Sequence, residues 1–406
     1  MPLDIDFVRA QFPAFEQLGL KDQAFFENAG GSYTCRQVMD RLTRFYLERK
    51  VQPEHPFEAS QLGAAEMDES RVRLAAILDV TPDELSFGPS TTQNTYVLSQ
   101  AFGQWMNAGD AIIVTNQDHE ANSGPWRRLA DRGIEVREWR VDPETGHLDV
   151  DTLSELIDDE VKLLCFPHCS NVVGEVNPVA QICAMAKAAG IYTCVDGVSY
   201  APHGLPNVAD LGPDVYLFSS YKTFGPHQGI MVIREGLGFT LPNQGHYFNK
   251  NSLYKRFTPA GPDHAQVAAS AGMADYIDDL CAHHGFSGTP TARGAHAHDL
   301  MRAHETKLLQ PLLDYVRDKN SVRLIGPSDA AQKAATVAMV GQKPGAKLAA
   351  ELAPLGVMAG GGDFYGVRCM DAMGIDSSFG ALRVSFVHYT TQEEVKKLIN
   401  ALDCIL

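Results

Sequence analysis

Between residues 84 and 233, short and nearly continuous apolar runs recur, with helix-patterned stretches between most of them. The runs fall at 84–87, 111–115, 136–141, 161–166, 191–195, 215–219 and 229–233, and the intervening helical stretches at 92–105, 122–132, 151–157 and 179–189. A strand that is apolar on both faces must be covered on both faces. Its alternation with helices therefore predicts an α/β fold: a large domain with a mostly parallel seven-stranded sheet flanked by helices. Ligands bind such sheets beyond the carboxyl ends of the strands, so polar residues there are the ones to question.

The flanks differ. An amphipathic stretch at 6–15 precedes Phe25-Phe26-Glu27-Asn28-Ala29-Gly30-Gly31-Ser32, an apolar strand that breaks into small residues able to let a ligand approach the backbone. Helical spacing follows at 36–50 and 64–78. After about 241 a loop rich in Asn, Gly, Tyr and Lys runs to Pro262. A helical region broken by Gly288-Thr289-Pro290 then extends to 316, followed by strands at 322–325, 336–340 and 382–386 and helices at 347–355 and 392–402. The expected division is an N-terminal segment (1–18) packing with the small domain, a large domain (19–259) and a smaller C-terminal α/β domain (260–406).

A net charge of −16 argues against general affinity for nucleic acid or anionic membranes, though not against a local basic pocket. No apolar run approaches the length of a membrane span, and the acidic opening lacks the regions of a signal peptide. The eight cysteines are scattered without a Cys-x-x-Cys, several inside apolar segments (Cys165, Cys183, Cys194), so a reducing cytoplasm is expected. Cys165 to Cys169 has metal-like spacing but no second pair, and no metal is expected. The histidines at 283, 284, 296, 298 and 304 read as a solvated helical surface. Gly360 to Gly362 lacks the strand–turn–helix context of a nucleotide fingerprint.

Several strand ends carry chemistry. The run 191–195 leads into Asp196, and the run 215–219 into Ser219-Ser220-Tyr221-Lys222. Lysine is rarely buried without a partner, and Schiff-base chemistry is one reason to place it there; a surface lysine on a turn is the other. Ser90-Thr91-Thr92 opens a helix and reads as a phosphate seat or an ordinary N-cap. His119 reads as a ring stacking on a planar cofactor or a loop histidine, and Asn171 as a donor to a phenolic oxygen or a turn residue. Arg383, in an alternating strand far along the chain, reads as a bidentate carboxylate clamp or a surface arginine.

Taken in order, these residues resemble the class V aminotransferase family of pyridoxal-phosphate (PLP) enzymes, in its cysteine-desulfurase-like branch. The likeness is strongest over Ser170-Asn171-Val172-Val173-Gly174, Val195-Asp196-Gly197 and Phe218-Ser219-Ser220-Tyr221-Lys222-Thr223-Phe224-Gly225-Pro226. The resemblance implies a PLP-dependent transferase fold and PLP as cofactor. It implies Lys222 as the Schiff-base lysine, Asp196 as partner of the pyridine nitrogen and His119 stacked on the ring. Thr91, Thr92 and Ser219 would hold the phosphate, with Asn171, Ser199 and Tyr221 also around the cofactor. Arg383 would take the carboxylate of a small amino acid, beside a wall of Asn28, Ala29 and Gly30. A homodimer with the active site at its interface is implied too.

The departures bear on the reaction. Where desulfurases carry a nucleophilic loop cysteine this chain has Phe364, with Cys369 five residues on. Tyr221 replaces a histidine common before the lysine, Ser199 a glutamine common after the aspartate, and Ala260-Gly261-Pro262 a Gly-Thr-Pro that supplies a partner-subunit threonine. The expected activity is an aminotransferase of the class V type. The alternatives are a desulfurase-like or other β-lyase or epimerase, or a non-catalytic protein that kept the fold. A nicotinamide dehydrogenase is disfavoured because no Gly-x-Gly-x-x-Gly follows an early strand.

Overall fold

The computed structural model describes residues 2–406. Seven strands form the large sheet: β1 (Leu85–Gly88), β2 (Ala111–Thr115), β3 (Glu135–Trp139), β4 (Val161–Pro167), β5 (Tyr192–Asp196), β6 (Val215–Ser219) and β7 (Gly229–Ile233). Their spatial order is β1-β7-β6-β5-β4-β2-β3. All neighbours are parallel except β7, which runs antiparallel to both β1 and β6. Four of the seven strands bury every residue on both faces, and β4 and β5 all but one, as the unbroken apolar runs predict.

The helices between strands are Thr91–Trp105 (α1), Glu120–Arg127 (α2), Val150–Leu153, Val179–Ala188 and Val208–Leu211. α2 is shorter than the sequence predicts, because the chain tightens into a 3-10 turn at Arg128–Arg132 and ends on left-handed Gly133. The early helix expected at 64–78 spans Glu58–Leu78. Its first turn carries no apolar period and is secured instead by Ser60, whose hydroxyl donates to Gln52 O and accepts from His55 N.

The C-terminal sheet holds β8 (Arg323–Ile325), β9 (Thr336–Val340), β10 (Gly360–Gly362) and β11 (Ala381–Ser385), ordered β10-β11-β9-β8 and antiparallel throughout. The triple glycine is thus a strand. A Cβ on Gly361 would overlap the Gly345 backbone, so the close approach of strand and helix needs glycine. A 28-residue helix, Pro290–Arg317 (α3), joins the two units. Its first half packs Ala297, Leu300 and Met301 into the core beneath the large sheet, and its second half packs Leu308 to Val316 into the C-terminal core. Helices His264–Ala269 and Ala271–His283 also bury Val267, Met273 and Ile277 in the large core, so the expected division near 260 falls ahead of two helices that pack with the large unit. The N-terminal segment touches both units. Phe12 packs edge-on against Phe224 and Tyr276, while Arg9 donates to Tyr389 O and pairs with Glu394.

The histidine stretch is not the solvated face expected. His284 is buried and accepts from Asp4 N, His298 meets the Tyr200 hydroxyl at 3.0 Å, and His304 donates to Thr390 O. These rings brace separate segments, contacts that a charge pattern along one helix does not reveal.

Candidate active site

The carboxyl ends of β2, β4, β5 and β6 and the amino end of α1 converge on one cavity. At the α1 end, the Ser90 hydroxyl caps Gln93 N at 3.1 Å, and Thr91 Oγ1 lies 2.8 Å from Ser219 Oγ. β7 begins beside this point with Gly229, where a Cβ would overlap the Ser90–Thr91 backbone. Free amides, hydroxyls and the positive end of a helix dipole make an anion seat.

Lys222 and Asp196 line the same cavity, 8% and 4% exposed. No side chain among the described residues forms an ion pair with Lys222. Burial, assisted by the Arg383 charge, lowers its amine to about 8. Asp196 accepts from Val198 N at 2.8 Å, and burial pushes its carboxyl up to about 6. That shift marks a carboxylate in want of a cation. Asp118, behind it, accepts from Asn122 Nδ2 and His119 N; burial and then the charge of Asp196 raise it well above the usual carboxylate range. His119 caps α2 through Nδ1, which accepts from Ala121 N, so its proton resides on Nε2 when neutral. Burial, then the charges of Lys222 and Arg383, lowers its pKa to about 4, keeping the ring neutral.

A wider cleft opens from this cavity, also reaching Lys222, His119 and Asn171 and adding Glu27, Ala29, Gly30, Phe364, Tyr365 and Arg383. Arg383 is the most constrained of these. Nη1 donates to Asn171 O at 3.1 Å, Nη2 pairs with Glu27 Oε1 at 2.7 Å, and the guanidinium stacks 3.9 Å from the Phe364 ring centre. Nε is buried with no partner, as is Asn171 Oδ1. Phe364 and Tyr365 are both left-handed, with φ of 54° and 57°, a costly conformation for aromatic residues. Asn171 Nδ2 donates to Phe364 O and Glu120 N to Tyr365 O, which hold the loop there.

Of the residues expected here, Thr91, Thr92, His119, Asn171, Asp196, Ser199, Ser219, Tyr221 and Lys222 line the first cavity, and Ala29, Gly30 and Arg383 the cleft. Asn28 lines neither. Its side chain donates to Ser385 O and accepts from the Tyr389 hydroxyl, so it braces β11 instead of facing a ligand. Glu27 and Asp118 were missed. Glu27 stands inside the run Phe25 to Ser32, one position before the wall of Asn28, Ala29 and Gly30, and nothing local shows that it meets an arginine 356 residues away. Cys169 and Cys369 are buried, with thiols pushed up to about 12 by that burial. No cysteine lines the Arg383 cleft, and no metal-ligating cluster occurs among the described residues.

A family model described as aminotransferase class-V matches residues 24–269 and 294–398. An aminotransferase-like protein of Gibberella zeae is 32% identical over 414 residues, covering 99% of this chain and 98% of its own length. A cysteine desulfurase of Haloferax volcanii is 27% identical, over 99% of this chain and 97% of its own. The apo cysteine desulfurase of Thermococcus onnurineus shares the fold, with a TM-score of 0.87 at 23% identity over 100% of this chain and 98% of its own.

Proposed function

We propose, because the chain belongs to the class-V aminotransferase family of PLP-dependent enzymes, that it transfers the amino group of a small amino acid. The observation that carries this reading is the buried, unpaired Lys222 facing Asp196 across a cavity that ends at the α1 amino terminus. The residues fit the cofactor. The α1 end with Thr91, Thr92 and Ser219 would hold its phosphate, Asp196 its ring nitrogen, the neutral His119 ring its face and Lys222 its aldehyde carbon, with Asn171, Ser199 and Tyr221 around it. Bound there, PLP supplies an electron-withdrawing ring that lets bonds at the amino acid's Cα break.

The chain's own groups do the rest. A lysine held near 8 is partly neutral at physiological pH, so its amine can act as nucleophile and then take up the Cα proton. Asp196, raised by burial, gains most by meeting a cationic ring nitrogen, and that preference favours the protonated ring. Arg383 keeps Nε without a partner, a donor for the substrate's carboxylate.

Desulfurase-like chemistry is the second reading, favoured by the cysteine desulfurases among the relatives. Against it, the cleft holds Phe364 where a sulfur-accepting thiol would be wanted, and Cys369 is too buried and too weakly acidic to serve. A homodimer is proposed from the family and from Tyr247 and Phe248, 85% and 67% exposed on one loop. Seven buried free cysteines fit a reducing compartment, and the cytoplasm is the proposed location.

The test is to present the holoenzyme with a panel of amino acids and a keto-acid acceptor. Transamination yields a keto acid, whereas released sulfide would replace this reading with the second. Lys222→Ala is expected to lose turnover by at least about a thousandfold; full activity in that variant would refute the assignment.

A further inference from the structure

Arg383 is not a free carboxylate receptor. A carboxylate takes a guanidinium best through two parallel bonds, and Nε and Nη2 form one edge of the Arg383 guanidinium. Nε is empty, but Nη2 is engaged by Glu27 at 2.7 Å. This pairing is built in. Gly30 lies so close that a Cβ there would overlap the Glu27 carboxylate, and a Cβ on Gly360 would come within 3.0 Å of Glu27 Oε1. Neither glycine has a positive φ, so what each supplies is space and not a special backbone conformation. Phe364 stacks on the guanidinium and Asn171 O accepts from its far nitrogen, two contacts that hold Arg383 beside Glu27.

We propose that Glu27 is the specificity-determining residue of this cleft: seated by Gly30 and Gly360, it competes for Arg383, so the site takes monocarboxylic amino acids and turns away dicarboxylic ones. The inference rests on the reading of Arg383 as the receptor for the substrate's carboxylate. A single carboxylate can bind Nε and displace or share Nη2. A second carboxylate on the same substrate meets no free cation. Besides Lys222 and Arg383, the charged residues lining the cleft are Glu27 and Glu120, and Glu120 is already paired with Arg368 at 3.2 Å. Like charges brought together in a partly enclosed site repel, and that repulsion is what discriminates.

The probes are propionate and succinate, which lack an amine and so bind the holoenzyme without reacting. Binding is read by calorimetry and by the change in the cofactor's visible absorbance. The native protein is expected to bind propionate and to bind succinate more weakly. Glu27→Gln keeps the shape and removes the charge. It should tighten propionate roughly tenfold and succinate by more, so that the preference narrows. Gly30→Ala should act in the same direction by pushing the Glu27 carboxylate off its seat, which guards against a folding artefact in either variant alone. Arg383→Lys should lose both ligands. If Arg383→Lys loses them while Glu27→Gln and Gly30→Ala bind as the native protein does, the role of Glu27 is overturned and the receptor reading stands. If Arg383→Lys binds both probes unchanged, the receptor reading falls and this inference falls with it.

Discussion

Lys222 has what an amine needs to be reactive: burial, a neighbouring cation in Arg383 and no ion-pair partner among the described residues. Its ordinary value of 10.5 falls to about 8, so protonation blocks it below that value and not above. The rate at which apo-protein takes up PLP should therefore rise about tenfold per pH unit from 6.5 to 8 and level off beyond, followed by absorbance. A flat profile over that range would mean the amine is not the titrating group. Asp196 and Lys222 were legible in the chain because each ends an apolar run with a charged residue. Glu27 was not, since its meaning lies in Arg383, 356 residues on, and no local pattern couples the two.

Among the elements, α1 and β7 matter most, because their junction builds the anion seat. Gly229 allows it: the atoms that a Cβ would meet belong to the Ser90–Thr91 backbone and not to a side chain that could turn aside. Gly229→Ala should cost about 1–3 kcal/mol of stability, measured by denaturant unfolding, because the helix end must move. It should also weaken PLP retention by roughly tenfold or more in equilibrium dialysis. Unchanged retention would show that the seat lies elsewhere. The strands of the large sheet were readable because both their faces are buried. β10 was not, since three glycines carry no apolar signal and the strand exists only because β11 pairs with it.

For the whole molecule, α3 runs through both cores, and Lys333 donates to Val173 O after β4 and to Ile325 O in β8. The two units are thereby coupled, and the cleft lies between residues of both. The proposed dimer would place a second copy against the exposed loop of Tyr247 and Phe248. Sedimentation should find a dimer at micromolar concentration, and Phe248→Glu should shift it toward monomer, because a charge buried at an apolar contact is costly. A native monomer at that concentration would remove the dimer from the proposal.

The alternation of buried strands and helices, and the order of charged residues at the strand ends, are properties of short segments, and hydrophobic periodicity writes them into the chain. They were enough to indicate the fold, and the resemblance of the strand-end motifs to the class V family implied the cofactor. Three features depend on residues brought together from distant parts of the chain: the pairing of Glu27 with Arg383, the left-handed loop at Phe364 and Tyr365, and the diversion of Asn28 to brace β11. Their energies come from tertiary contacts. For that reason the choice of substrate, unlike the cofactor, could be argued only once the chain was folded.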